Sequence, residues 1–357
     1  MNMIEGFTRQ ELLELSWAKP MMGQIELTRD CNQWCIFCYK DCGPQKNYTI
    51  LSTAQWKNII LKLKKLGVRR LHFSGGENFL HKGFEELVAF GKEQGFEIWM
   101  TTNGTFSCKE VAKHSDNIIF SIHGLEPTHD SITKLHGSFR LACDHMVEAA
   151  ASTNVSVNMV LVKRNYGEIY DVFTYLNGLC RLSMFHATIP IKTTFGANYE
   201  EEALVITREL LDDYRATMAR IPANQLGLKH GIMNIYFNDP VMYTSQTIPL
   251  PNCAAGKYKI VIDYDGEVYP CNFFYYEGFR CGNILTGDAL KIWRNGRGFN
   301  RFRELALQEV MPEKCHTCVK KHKCMGGCMA WTEEYLKGGF GNAIDLRCEA
   351  GNAFVGG

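Results

Sequence analysis

With 357 residues, 46% of them hydrophobic, the chain is long enough to bury a substantial core as one large domain or two. Lys and Arg number 39 against 38 Asp and Glu, with no basic run, so charge gives no case for binding nucleic acid or an anionic membrane. Fifteen cysteines, no secretory signal and no apolar stretch long enough to span a bilayer point to a cytoplasmic protein whose thiols serve metal or catalysis rather than disulfides.

Residues 1–21 form a segment ahead of the first strand signal. From 22 to 235, short β-branched or aromatic runs alternate with segments of helical period, the pattern of βα units around a parallel sheet. Six runs predict strands: GQIELT from Gly23, RLHFSG from Arg70, FEIWMTTNG from Phe96, NIIFSIHG from Asn117, VSVNMVLV from Val155 and LSMFHATIP from Leu182. The clearest helix is STAQWKNIILKLKKLG. Ser52 or Thr53 suits its N-cap, Trp56, Ile59, Ile60, Leu63 and Leu66 form one stripe, and Gly67 ends it. Residues 236–357 form a second unit, in which KYKIVIDYDGEVYPC predicts a hairpin turning at Asp265-Gly266 before cysteine-rich irregular chain.

Immediately after the first predicted strand, CNQWCIFCY places Cys31, Cys35 and Cys38 within reach of one centre. Loops at the C-terminal ends of parallel strands are where barrel-like sheets build active sites. A structural zinc knuckle is compatible with these spacings. Three thiolates on a cubane of four irons, however, leave one iron free to bind a substrate or cofactor. Cys42, Cys108, Cys143 and Cys180 lie outside every motif, and core packing is the expectation for each. His123, His129 and His136 surround the fourth strand's exit, where loop histidines are expected to be solvated.

The C-x3-C-x2-C spacing, with Phe37 before the third cysteine, resembles the radical S-adenosylmethionine (SAM) superfamily, whose fold is a partial (β/α)6 TIM-like barrel. SGGEN at Ser74–Asn78, TTNG at Thr101–Gly104 and SIHG at Ser121–Gly124 follow in the family's order at successive strand ends. The resemblance implies a 4Fe-4S cluster on Cys31, Cys35 and Cys38. It implies that Gly75, Gly76 and Glu77 hold the SAM amino group, with Ser74 among the cofactor-binding residues, Asn103 and Ser121 near the ribose and Phe37 against the adenine. Such enzymes cleave SAM reductively to a 5'-deoxyadenosyl radical, which abstracts hydrogen from a C–H bond. The chain departs from the pattern at Asn78, where relatives often carry proline. It departs again at Thr133, where they often carry an arginine for the SAM carboxylate.

Cys253, Gly266, Cys271, then Cys315, Cys318, Cys324, Cys328 and Cys348 resemble the SPASM extension of such enzymes. That likeness assigns Cys315, Cys318, Cys324 and Cys348 to an outer auxiliary 4Fe-4S cluster. It assigns Cys253, Cys271 and Cys328 to an inner one, for which Cys281 is the nearest candidate fourth ligand. The implied substrate is a peptide or protein modified oxidatively, as in the maturation of ribosomally made peptides, with flavodoxin or ferredoxin as reductant. A small molecule such as an alcohol or aminosugar is the alternative. A sulfatase maturase is disfavoured, because Lys259 stands where those carry a cysteine and Asn272 where they carry an aspartate. An iron-sulfur electron carrier is the non-enzymatic alternative.

Overall fold

The computed structural model describes residues 19–40, 42–44, 50–189, 201–204, 207–222, 224–225, 254–306, 313–317 and 328–331. All six predicted strands are present: β1 (Met22–Glu26), β2 (Arg70–Ser74), β3 (Glu97–Thr102), β4 (Asn117–Ser121), β5 (Asn154–Val160) and β6 (Met184–Thr188). Each pairs in parallel with its sequence neighbour. The crossovers carry α1 (Thr53–Leu66), α2 (Phe84–Glu93), α3 (Lys109–Ala112), α4 (Glu126–Thr133), α5 (Ser138–Ala150) and α6 (Ile169–Leu179). In α1 the cap is Ser52, which forms a reciprocal capping box with Gln55. Gly67 closes the helix at φ 96°, and all five residues of the predicted stripe are buried.

Alternation along the strands separates two faces. Ile25, Leu71, Phe73, Ile98, Met100, Ile118, Phe120, Val157 and Phe185 join the core beneath the helices. The other face, the barrel interior, is polar. Its register sets Gln24, His72, Trp99 and Asn117 in one row and Ser121, Asn158 and His186 in another. Cross-strand hydrogen bonds satisfy part of it: His72 Nε2 to Thr101 Oγ1 at 2.8 Å and Ser156 Oγ to Asn117 Oδ1 at 2.9 Å.

The predicted hairpin is β7 (Lys259–Ile262) and β8 (Glu267–Tyr269), with Gly266 at φ 85° in the turn and β9 (Gly282–Asn283) beyond. Its placement was not legible in the sequence. β7 pairs in parallel with β1, so the extension lengthens the barrel's own sheet, in the order β6-β5-β4-β3-β2-β1-β7-β8-β9. An unclosed barrel leaves the backbone of β1 open to a further strand, and Lys259-Ile-Val-Ile262 is buried throughout. After β6 comes α7 (Arg208–Ala219), and after β9 come α8 (Ala289–Asn295), α9 (Arg297–Ala306) and α10 (Glu313–His316). Lys62 of α1 donates to the carbonyls of Ile284 and Leu285 at 2.6 and 3.0 Å, a second tie between barrel and extension. The expected domain boundary at 235/236 lies outside the described residues.

Because one sheet serves both parts, damage to β7 is predicted to weaken the barrel. Ile260→Ala, at a fully buried position, is expected to cost about 2–5 kcal/mol. The loss should register in the urea midpoint read from fluorescence of the tryptophans, including buried Trp56 of α1. An early transition confined to the extension, with the barrel's midpoint unmoved, contradicts the shared sheet.

Candidate active site

The loop leaving β1 is fixed by its backbone. Gly76 N–H donates to Thr28 O and Glu77 N–H to Asp30 O, both at 2.7 Å, locking the loop after β2 onto it. Trp34 N–H and Ile36 N–H donate to Thr133 O and Ile132 O at 3.0 and 3.1 Å, using free carbonyls at the end of α4. Gly75 lies at φ 133°, and a Cβ on Gly76 would sit 2.0 Å from the Asp30 carbonyl oxygen. The paired glycines therefore have a task inside the protein: they let the two loops meet.

Three thiols ride on this frame. Asn103 Nδ2 lies 3.7 Å from Cys31 Sγ and 2.7 Å from Asn32 Oδ1, and the Cys35 thiol points to Gln33 Oε1 at 3.5 Å. Burial pushes the Cys31 thiol up to about 12. It also raises Cys35, with Cys31 and Cys38 reinforcing the effect, so the three sulfurs lie within electrostatic reach of one another. Among the described residues, no three Cys, His, Asp or Glu converge on a single ion. Three thiols in one neighbourhood are the donor set that a 4Fe-4S cluster with one open iron would use.

Two buried groups fit the expected ligands. Gln33, beside Cys35, is 2% exposed, and its Nε2 has no hydrogen-bond partner among the described residues. Glu77 is fully buried, and its carboxylate accepts from Asn103 N–H at 2.7 Å, Thr102 Oγ1 at 3.0 Å and Phe79 N–H at 3.5 Å. Burial pushes it to about 7 despite those bonds, and no cation among the described residues pairs with it. A ligand ammonium at this carboxylate would supply the missing charge.

The remaining expected SAM residues divide. Ser74 ends β2 and Ser121 ends β4, both half-buried. The Asn103 side chain is committed to the cysteine loop and to Thr105, through Oδ1 at 2.7 Å to the hydroxyl. Phe37 packs edge-on against His123, centroids 4.7 Å apart. Thr133 is buried, its hydroxyl bonded to Ser138 at 2.8 Å, and Lys134 is exposed at the helix end. The histidine expectation is corrected for two of three: His136 is exposed, but His123 and His129 are buried and stacked at 5.7 Å. His129 Nδ1 accepts from His123 N–H and His123 Nδ1 from Val160 N–H, so these rings support the strand exit.

Of the extension cysteines, Cys271, Cys315 and Cys328 are described and half-buried. Cys253, Cys318, Cys324 and Cys348 lie outside the described residues. Cys271 reaches the first cysteine loop through its neighbour: Asn272 Nδ2 donates to Tyr39 Oη at 3.1 Å, and Tyr39 packs on Phe273 at 4.9 Å. Lys259 Nζ donates to Asn272 Oδ1 at 2.7 Å, so the two departures from the sulfatase-maturase pattern contact each other. The Cys281 sulfur faces Phe279 O at 3.4 Å and the turn at Gly298.

Comparison with known proteins agrees with this geometry. A family model for the radical SAM superfamily matches residues 25–176, and one for an iron-sulfur cluster-binding domain, SPASM, matches 253–319. The chain carries a radical SAM domain and a SPASM domain. This radical SAM chain is 27% identical over 323 residues to mycofactocin maturase MftC of Mycobacterium ulcerans, covering 87% of itself and 83% of that protein. It is 27% identical over 327 residues to PqqA peptide cyclase of Xanthomonas axonopodis pv. citri, covering 87% and 82%. In fold it is similar to Streptococcus suis SuiB bound to precursor peptide SuiA, with a TM-score of 0.71, 16% identity and coverage of 93% and 76%. It is also similar to anSMEcpe with bound AdoMet and a peptide, at 0.67, 18%, 94% and 97%.

Glu77 yields a prediction with a sign. Losing a charged contact of about 1.5–3 kcal/mol, Glu77→Gln should bind SAM roughly tenfold or more weakly by calorimetry. Below about 7 the wild-type carboxyl is protonated, so SAM affinity should fall as pH drops from 8 to 6, while the variant stays flat. Thr133→Ala should change little. Equal affinity in wild type and Glu77→Gln would place the ammonium elsewhere.

Proposed function

We propose that this protein is a radical SAM/SPASM maturase that oxidatively modifies a ribosomally made peptide in the cytoplasm. The observation that carries the reading is similarity over 87% of the chain to two peptide-maturing enzymes, across barrel and extension alike. No described helix is long and apolar enough to cross a membrane.

Cys31, Cys35 and Cys38 would hold the SAM-binding 4Fe-4S cluster, and Glu77 the SAM ammonium. When bound, cluster and SAM supply a 5'-deoxyadenosyl radical able to take hydrogen from an unactivated C–H bond. The chain's own contribution is orientation and exclusion of water. The clamped loop fixes the thiols, while the polar interior rows, with the buried Lys40–Glu26 ion pair, offer hydrogen bonds to a peptide threaded into the barrel. Cys253, Cys271 and Cys328 would hold the inner auxiliary cluster and Cys315, Cys318, Cys324 and Cys348 the outer one. Flavodoxin or ferredoxin would deliver electrons.

Anaerobically purified protein should carry about twelve irons, three clusters of four, and the triple Cys31/Cys35/Cys38→Ala variant about a third fewer. Incubated with SAM and dithionite, the enzyme should release 5'-deoxyadenosine, and a candidate precursor peptide, if one is encoded near its gene, should emerge lighter by hydrogen in mass spectra. An unchanged peptide alongside consumption of an alcohol or aminosugar would replace the peptide reading with the small-molecule one.

A further inference from the structure

The motif after β3 supplies Asn103, which the family resemblance puts near the SAM ribose. Its side-chain hydrogen bonds lie elsewhere. A carboxamide can make four, two through its N–H bonds and two through its oxygen, and the chain itself uses all four in Asn103. Nδ2 donates to Asn32 Oδ1 at 2.7 Å and to Cys31 Sγ at 3.7 Å, while Oδ1 accepts from the Thr105 N–H at 2.9 Å and the Thr105 hydroxyl at 2.7 Å. Asn32 Nδ2 donates to Thr105 Oγ1 at 2.8 Å, closing a ring of three side chains. Asn103 is buried. A ribose hydroxyl would have to break one of these bonds to join them.

The turn that follows makes the arrangement possible. Gly104, at φ 75°, lets the chain double back so that Thr105 N–H meets Asn103 Oδ1, and its own N–H donates to Thr102 Oγ1 at 3.0 Å. The main-chain N–H of Asn103 meanwhile donates to Glu77 Oε2 at 2.7 Å. One residue thus ties the carboxylate expected at the SAM ammonium to a sulfur expected on iron.

We propose that Asn103 is a positioning residue of the SAM-binding cluster: its side-chain N–H donates to the Cys31 sulfur and holds that ligand in place, and it does not read the SAM ribose. The inference rests on the radical SAM reading of Cys31, Cys35 and Cys38. A thiolate bound to iron keeps lone pairs that accept such a bond. A donor there favours the more negative, reduced state of the cluster and so raises its potential.

The test compares wild type with Asn103→Ala and Thr105→Val, each reconstituted anaerobically. The cluster on the triad is identified as the one whose EPR signal changes when SAM is added. In the absence of SAM, its midpoint potential should move to more negative values in Asn103→Ala. Thr105→Val, which keeps the donor but loses the hydroxyl that aims it, should move the midpoint the same way by a smaller amount. By calorimetry, Asn103→Ala should change the affinities for SAM and for its 2',3'-dideoxy analogue by the same factor, since no ribose contact has been removed. A loss of affinity for SAM that the dideoxy analogue does not share would return Asn103 to the ribose and overturn the proposal. An unmoved midpoint in Asn103→Ala would reduce the residue to packing and overturn it as well. If that variant does not retain the cluster, an unmoved midpoint in Thr105→Val has the same force. A wild-type protein with no SAM-responsive signal would overturn the radical SAM reading and this inference together, an outcome distinct from the others.

Discussion

The site depends on backbone amides of two loops bonding across a gap that only glycine can span. Gly76 and Glu77 donate to Thr28 and Asp30 from the end of the neighbouring strand, and the end of α4 accepts from Trp34 and Ile36 on the far side. The apolar side chains of this loop are at most half-buried, Ile36, Phe37 and Tyr39 in part and Trp34 exposed, so directed hydrogen bonds carry much of the cost of its ordering. The clamp has a second effect. By drawing the loop after β2 inward it forces Glu77 into a fully buried position, where a bare carboxylate is unfavourable until a cation joins it. One constraint thus positions the iron ligands and creates the charge deficit that a SAM ammonium would fill.

The extension takes part in the same arrangement. β7 extends the sheet from β1, the strand that feeds the cysteine loop, and Arg29 in that loop bonds Asp263 after β7 at 2.5 Å while lying over the Tyr264 ring. Asn272 reaches Tyr39 beside the third cysteine. Barrel and extension therefore meet at the residues flanking Cys38 and Cys271, one cysteine from each half. The Asn272–Lys259 bond occupies the ground where another family carries a thiol and a carboxylate, which makes the pair a chemical distinction rather than two unrelated substitutions.

Local signals in the sequence carried much of this. Strand starts and the α1 stripe follow from periodicity and caps, which act over a few residues, and they agree with the structure to within a residue or two. The parallel addition of β7 to β1 was not readable, because it joins segments more than two hundred positions apart and alternation fixes a strand's faces without naming its partner. The assignment of Gly75 and Gly76 to a ligand missed their contact with Thr28 and Asp30, which depends on how two loops meet. The closeness of Cys42 to the motif is hidden for the same reason: a four-residue separation is informative on a helix, but here a turn brings the Cys42 N–H to the Cys38 sulfur. His123 and His129 look like solvated loop residues until the ends of β4 and β5 close over them.

The most direct test of the account is SAM cleavage by Gly76→Ala, a variant that removes no cluster ligand and no charge. Wild type reduced with dithionite should convert SAM to 5'-deoxyadenosine, measured by chromatography under strict anaerobiosis. Gly76→Ala should retain its far-ultraviolet circular dichroism yet lose most of that product together with the SAM-responsive EPR signal, because its new methyl group cannot sit beside the Asp30 carbonyl. Wild-type turnover in the variant would contradict the claim that the loop clamp assembles the site.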